Sequence, residues 1–122
     1  MRRVQLESPF RGSSEAEEEE FLKYGLKALA HSLSLDEAPF ASHLIYTRVL
    51  DDRSARQRRQ GIDAGLAWGD VSEATVAYVD YGVSSGMQEA LDRAKAAGRP
   101  VERRLIGRVG EPPPDEVTQL RQ

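Results

Sequence analysis

The spacing of apolar and polar positions changes several times along the chain, and each change predicts an element. Val4-Gln5-Leu6-Glu7 alternates with the two-residue period of a strand, then runs into Ser8-Pro9-Phe10-Arg11-Gly12-Ser13-Ser14, whose proline, glycine and serines end regular pairing. Ser14 with Glu17 three residues on is a capping-box pattern that opens a long helix reaching Leu33 to Leu35. Leu22, Leu26, Leu29 and Leu33 recur at helical spacing and predict the stripe by which that helix packs on a sheet. Glu37-Ala38-Pro39-Phe40 reads as a short strand, and Ser42 to Leu50 as a short helix. Ser54 with Gln57 caps another helix through about Trp68, arginine-rich in its early turns and docking by its C-terminal half.

Ala74-Thr75-Val76-Ala77-Tyr78-Val79 is a nearly continuous β-favouring run, the pattern of a central parallel strand covered on both faces. The loop Asp80 to Gly86 follows. Met87, Ala90, Leu91, Ala94 and Ala97 then mark a helix ending at Gly98, and Pro100 to Ile106 a last, more polar strand. Residues 1–106 therefore form one domain, and 107–122, with Pro112-Pro113-Pro114, read as a C-terminal arm. Alternating strands and helices predict an α/β sandwich with a mostly parallel sheet of about four strands and right-handed crossovers. Ligands bind such sheets beyond the carboxyl ends of the strands, which singles out two loops: Ser8 to Ser14 and Asp80 to Gly86.

Composition narrows the chemistry. A chain of 122 residues without cysteine excludes a disulfide scaffold, a thiolate nucleophile and a cysteine zinc site, and leaves His31 and His43 as its imidazoles. No metal cluster and no cofactor are called for. The opening Met-Arg-Arg-Val-Gln-Leu-Glu lacks the apolar core of a signal peptide, and no run is long and apolar enough to span a bilayer, so a cytoplasmic protein without a membrane partner is expected. A net charge of −3 argues against a nucleic-acid partner. Charge is nevertheless sorted, with an acidic block over residues 15–20 and arginines 53, 56, 58 and 59; the two blocks would meet across the boundary of a homodimer or higher homo-oligomer. The helix bearing Ile62, Leu66 and Trp68 is the apolar surface expected to hold it.

Ser84-Ser85-Gly86 at a helix start offers hydroxyls, free backbone N–H groups and a residue without Cβ, a combination suited to an anion or a sugar hydroxyl as well as to simple capping by Ser84 or Ser85. Ser8-Pro9-Phe10-Arg11-Gly12 would add an aromatic wall and a fixed charge at the same rim, or form an ordinary tight loop. Glu7 interrupts the apolar pattern of a central first strand, either because it points into a pocket or because that face is less buried. Asp51 and Asp52 either cap the following helix or line the pocket.

In chain order, Ser8-Pro9-Phe10-Arg11-Gly12, then His43-Leu44-Ile45-Tyr46-Thr47 with Leu50-Asp51-Asp52, then Gly82-Val83-Ser84-Ser85-Gly86-Met87 and Ala97-Gly98-Arg99-Pro100-Val101 resemble the nucleoside 2-deoxyribosyltransferase-like superfamily, in particular a small bacterial and phage branch of it. The resemblance covers about residues 2–106. It implies a flavodoxin-like three-layer sandwich, a pocket for a nucleoside, nucleotide or related ribosyl compound, cleavage or transfer at an N-glycosidic bond, and oligomers that complete one another's pockets. The substrate-binding residues it implies are Ser8, Pro9, Phe10, Arg11, Gly12, His43, Ser84, Ser85, Gly86, Met87 and Gln88.

Breaking the bond between a sugar and a base develops oxocarbenium character, so a carboxylate near the anomeric carbon and a proton donor for the base are the needed groups. In the superfamily the nucleophilic glutamate directly follows a Gly-x pair in the first turn of the helix after the central strand; here Gln88 stands there, after Gly86-Met87. The acids expected to act instead are Glu89, about 100° further round the helix, and Asp80 at the end of the central strand. The neutral Gln88 also motivates a second reading, a non-catalytic nucleotide-binding or sensing module. A third is a purely structural protein whose charge blocks pair between subunits.

Overall fold

The computed structural model describes residues 1–115. Four strands, β1 (Arg2–Glu7), β2 (Glu37–Phe40), β3 (Ala74–Tyr78) and β4 (Val101–Arg104), form one sheet in the order β2-β1-β3-β4, with every neighbouring pair parallel. Its helices are α1 (Glu15–Ser34), α2 (Ser42–Ile45), α3 (Ala55–Gly69) and α4 (Ser85–Ala96), and a 3₁₀ turn over Tyr46–Arg48 extends α2. The chain is an α/β sandwich of flavodoxin-like type, and its order reverses between β1 and β3, the place where such sheets open a crevice.

Alternation along β1 sorts its side chains to the two faces. Val4 and Leu6 lie beside Ala74 and Val76 of β3 and join Tyr24 and Ala28 of α1 in the larger core. Gln5 and Glu7 turn to the other face, where Gly69 of α3 approaches Gln5, and Ala77 of β3 packs with Met87 and Leu91 of α4. Each of the three longer helices starts on a serine: the hydroxyls of Ser14, Ser54 and Ser84 accept from the backbone N–H groups of Glu17, Gln57 and Met87. The boxes are not closed by their third-residue side chains. Glu17 accepts from the Ser13 N–H, and Gln57 from that of Asp51.

Two expectations about helix faces are corrected. The buried side of α1 is Phe21, Tyr24, Gly25, Ala28 and Ser32, whereas Leu26 and Leu33 are 55% and 58% exposed and Leu22 and Leu29 flank the core. At Gly25 the helix runs close to α2: a Cβ there would sit 3.1 Å from both methyls of Leu44. On α3, Leu66 is buried and Ile62 turns toward a cavity, while Trp68 points outward beside Phe40, so these three do not share one surface. The acidic and basic blocks also meet inside the chain, Arg53 pairing with Glu18 at 3.4 Å.

On the face of the sheet that carries Val4 and Leu6, Arg104 grips Glu37 with two nitrogens at 2.8 Å and reaches the Tyr78 hydroxyl, while Arg2 pairs with the same carboxylate. Of the expected arm, residues 107–111 fold back onto the domain: Lys27 donates to the carbonyls of Gly107, Arg108 and Glu111, and Val109 packs on the core. Residues 116–122 lie outside the described part. Among the described residues no helix is long and apolar enough to cross a membrane.

Candidate functional site

A cavity of about 130 Å³ opens beyond the carboxyl ends of β1 and β3. The β1 end and its loop contribute Glu7, Ser8, Phe10 and Arg11; α2 and the turn after it contribute Ser42, His43 and Tyr46. Ile62 and Arg58 of α3 form a third wall, and Ser84, Gly86 and Met87 at the start of α4 a fourth. Gly86 keeps that last wall open, since a Cβ there would begin 3.9 Å from Arg58 Nη2 and 4.0 Å from Ile62 Cδ1. The aromatic rings of Phe10 and Tyr46 and the guanidinium groups of Arg11 and Arg58 give the site flat apolar surface together with positive charge. Asp52 holds the arginines at the rim, its carboxylate 3.9 Å from Arg58 Nε and its carbonyl accepting from Arg11.

Polar contacts organise the floor. Ser8 Oγ and His43 Nε2 are 2.6 Å apart and share a hydrogen bond that pins α2 to the end of β1. Burial pushes His43 down to about 4, so its ring is neutral at physiological pH. Glu7 accepts one hydrogen bond, 3.0 Å from Gln5 Nε2, and has no cationic partner among the described residues. Its desolvation is opposed by that single amide, and burial pushes the carboxyl up to about 7. Gln5 is itself buried; its Nε2 also reaches Ser42 Oγ, and its Oε1 has no partner among the described residues. Gly65 lets α3 approach Ser42, whose Oγ would lie 2.5 Å from a Cβ at that position.

The structure brings Ser8, Phe10, Arg11, His43, Ser84, Gly86 and Met87 together around this cavity. Pro9 is buried behind it, Gly12 lies in an adjoining groove, and Ser85 is exposed one residue past the cap. Gln88 turns along the helix to donate to Asp92. Neither acid expected to act lines the cavity. Asp80 is drawn into the fold, accepting from the Tyr24 hydroxyl at 2.6 Å and from the backbone N–H groups of Ile106 and Gly107 at 2.9 Å. Glu89 sits on the outer side of α4, where Arg59 binds both its oxygens. Of the adjacent pair of aspartates, Asp51 accepts from the Arg53 N–H in the turn and Asp52 faces the cavity.

Ser42, Tyr46, Gln57, Arg58 and Ile62 also line the cavity, although the sequence reading gave none of them a part in ligand binding. Helix spacing carried a signal for part of it, because Arg58, Ile62 and Leu66 recur every fourth residue along one face of α3.

The chain is thus an all-parallel α/β sandwich with a polar, aromatic-walled crevice at its topological switch point. The chain belongs to the family described as Domain of unknown function (DUF7768), whose model matches residues 2–104. Among solved structures it is similar in fold to a 2-deoxyribosyltransferase from the psychrotolerant bacterium Bacillus psychrosaccharolyticus, described as a biocatalyst for the synthesis of antiviral and antitumoral nucleosides. The TM-score is 0.63 at 20% identity, over 83% of this chain and 70% of that one. No curated protein matches.

Proposed function

We propose that the cavity binds a nucleoside, nucleotide or related ribosyl compound, with the N-glycosidic bond as the bond that is cleaved or transferred. The observation that carries this reading is the convergence of the β1 and β3 loops on one crevice that combines ring-shaped walls, Phe10 and Tyr46, with hydroxyl groups and two arginines. Aromatic faces suit a base, Ser84 and the polar floor suit sugar hydroxyls, and Arg11 and Arg58 suit a phosphate or a sugar oxygen. The fold likeness to a deoxyribosyltransferase supports the same reading. The residues proposed to touch the ligand are Ser8, Phe10, Arg11, His43, Ser84 and Gly86.

Calorimetric titration with nucleosides, their 5′-monophosphates, free bases and ribose tests it, together with chromatography for released base. Saturable binding of a nucleoside or nucleotide that Gly86→Val abolishes is the expected result, since the added side chain enters the space between α4 and Arg58. Absence of binding across the panel, or binding that Gly86→Val leaves unchanged, overturns the assignment.

A further inference from the structure

We propose that Glu7, at the floor of the cavity, is its catalytic carboxyl group, acting as the acid that protonates the departing base. The inference rests on the reading of the cavity as a nucleoside site and deepens it by naming the group that does the chemistry.

Two carboxyl groups line the cavity, Glu7 and Asp52. Asp52 lies at the rim and is paired with Arg58, 3.9 Å away. Glu7 lies deeper, at the last residue of β1, and alternation along that strand turns it away from the core containing Val4 and Leu6. One of its oxygens accepts from Gln5, and the other has no partner among the described residues. The other charged or titratable groups on the cavity are Arg11, Arg58, Tyr46 and His43, and none of them bonds to Glu7. A strand carboxyl in this position does nothing for the packing of β1, whose stability would be better served by an apolar residue.

Gln5 suits a carboxyl that changes protonation state. Its amide nitrogen donates to the carboxylate, and its buried, unpartnered Oε1 provides an acceptor for the acid's O–H after rotation of the amide. Desolvation agrees with this geometry: with the carboxyl pushed up to about 7, a large fraction of the molecules carry the proton at neutral pH.

The step balances with water as the co-reactant. The C1′–N bond breaks and its electron pair leaves with the base nitrogen, which takes the proton from neutral Glu7. Water then adds to the sugar cation at C1′ and releases its own proton to the Glu7 carboxylate, restoring the acid.

Glu7→Gln keeps the size and hydrogen-bonding capacity of the side chain and removes the transferable proton. Wild type and variant are compared on guanosine and its 5′-monophosphate, and on the N7-methylated forms of both, whose cationic base departs without needing a proton. The expected result is a loss of about 10²-fold or more on the unmethylated substrates, a change of a few-fold at most on the methylated ones, and unchanged affinity for both. Full activity of the variant on guanosine or its monophosphate overturns the proposal. Equal losses on both kinds of substrate with affinity intact overturn the acid role in favour of a nucleophile. Binding without any cleavage by wild type overturns the catalytic assignment and leaves the binding site standing, whereas absence of binding removes the site and the acid with it.

Discussion

Glu7 and His43 face the same cavity with displacements of opposite sign, and this sets a measurable pattern in the pH dependence of stability. Glu7 moves from 4.5 to about 7 on folding, because burial leaves it with one amide N–H. Between those values the folded chain holds a proton that the unfolded chain has released. Stability therefore falls as pH rises, starting near 4.5 and ending above about 7, with a total loss of about 3 kcal/mol. His43 moves the other way, from 6.5 to about 4, again by burial. There the unfolded chain holds the extra proton, and stability is lost as pH falls from 6.5 through about 4, by about 3 kcal/mol. The windows overlap between about 4.5 and about 6.5, where the two contributions nearly cancel in the wild type.

Substitution separates them. Relative to wild type, Glu7→Gln gains stability as pH rises, by about 3 kcal/mol between about pH 4.5 and about pH 8, whereas His43→Gln gains a similar amount as pH falls from about 6.5 to about 4. Urea denaturation followed by circular dichroism, repeated across that range, reads both differences directly if the m-values stay constant. A pH-independent difference for Glu7→Gln would show the carboxyl to be solvated and would remove the physical basis for its acid role. A difference with the opposite slope would mean that a cation pairs with it in solution.

Other substitutions test the scaffold. Tyr24→Phe removes the hydroxyl that donates to the Asp80 carboxylate and accepts from its N–H, and is expected to lower stability by about 1–3 kcal/mol in thermal or urea unfolding without altering nucleoside affinity. Arg104→Met leaves the buried Glu37 with Arg2 and Ser32 alone and is expected to cost about 3 kcal/mol at neutral pH. Glu37 is held down to about 2 mainly by Arg104, so wild type loses this contribution as pH falls from 4.5 through about 2, and the variant's acid-unfolding curve is expected to be flatter. Gly107→Ala combines a positive φ of 84° with a Cβ 2.3 Å from the Pro112 carbonyl oxygen, and a loss of about 2 kcal/mol or more is expected by the same measurement. Glu89→Ala breaks an exposed pair with Arg59, so stability should change by less than about 1 kcal/mol, and ligand affinity should remain that of wild type.

Local pattern was enough to establish the elements and their order. The β-favouring run at Ala74 is buried throughout β3, the serines expected to open helices do so at Ser14 and Ser54, and Ser84 rather than Ser85 takes the third cap. These features depend on neighbours within a few residues, and period and capping chemistry act at that range. From the alternation of elements also followed the parallel sheet and the two loops that meet at its switch point.

What chain pattern did not decide was which member of a plausible set faces what. The leucines of α1 form a helical stripe, yet the contact face is the one bearing Gly25 and Ala28, because how closely a helix can approach depends on Leu44, nineteen residues further on. Four carboxyl groups near the strand ends, Glu7, Asp52, Asp80 and Glu89, have similar chemistry in isolation. Tertiary packing divides them: Tyr24 and the turn after β4 draw Asp80 into the fold, Arg59 of α3 holds Glu89 outside, Arg58 pairs with Asp52, and Glu7 faces the cavity, half-buried and without a counter-ion among the described residues. A carboxyl group's protonation depends on the solvent and charges within a few ångströms of it, and those neighbours come from segments far apart in the chain.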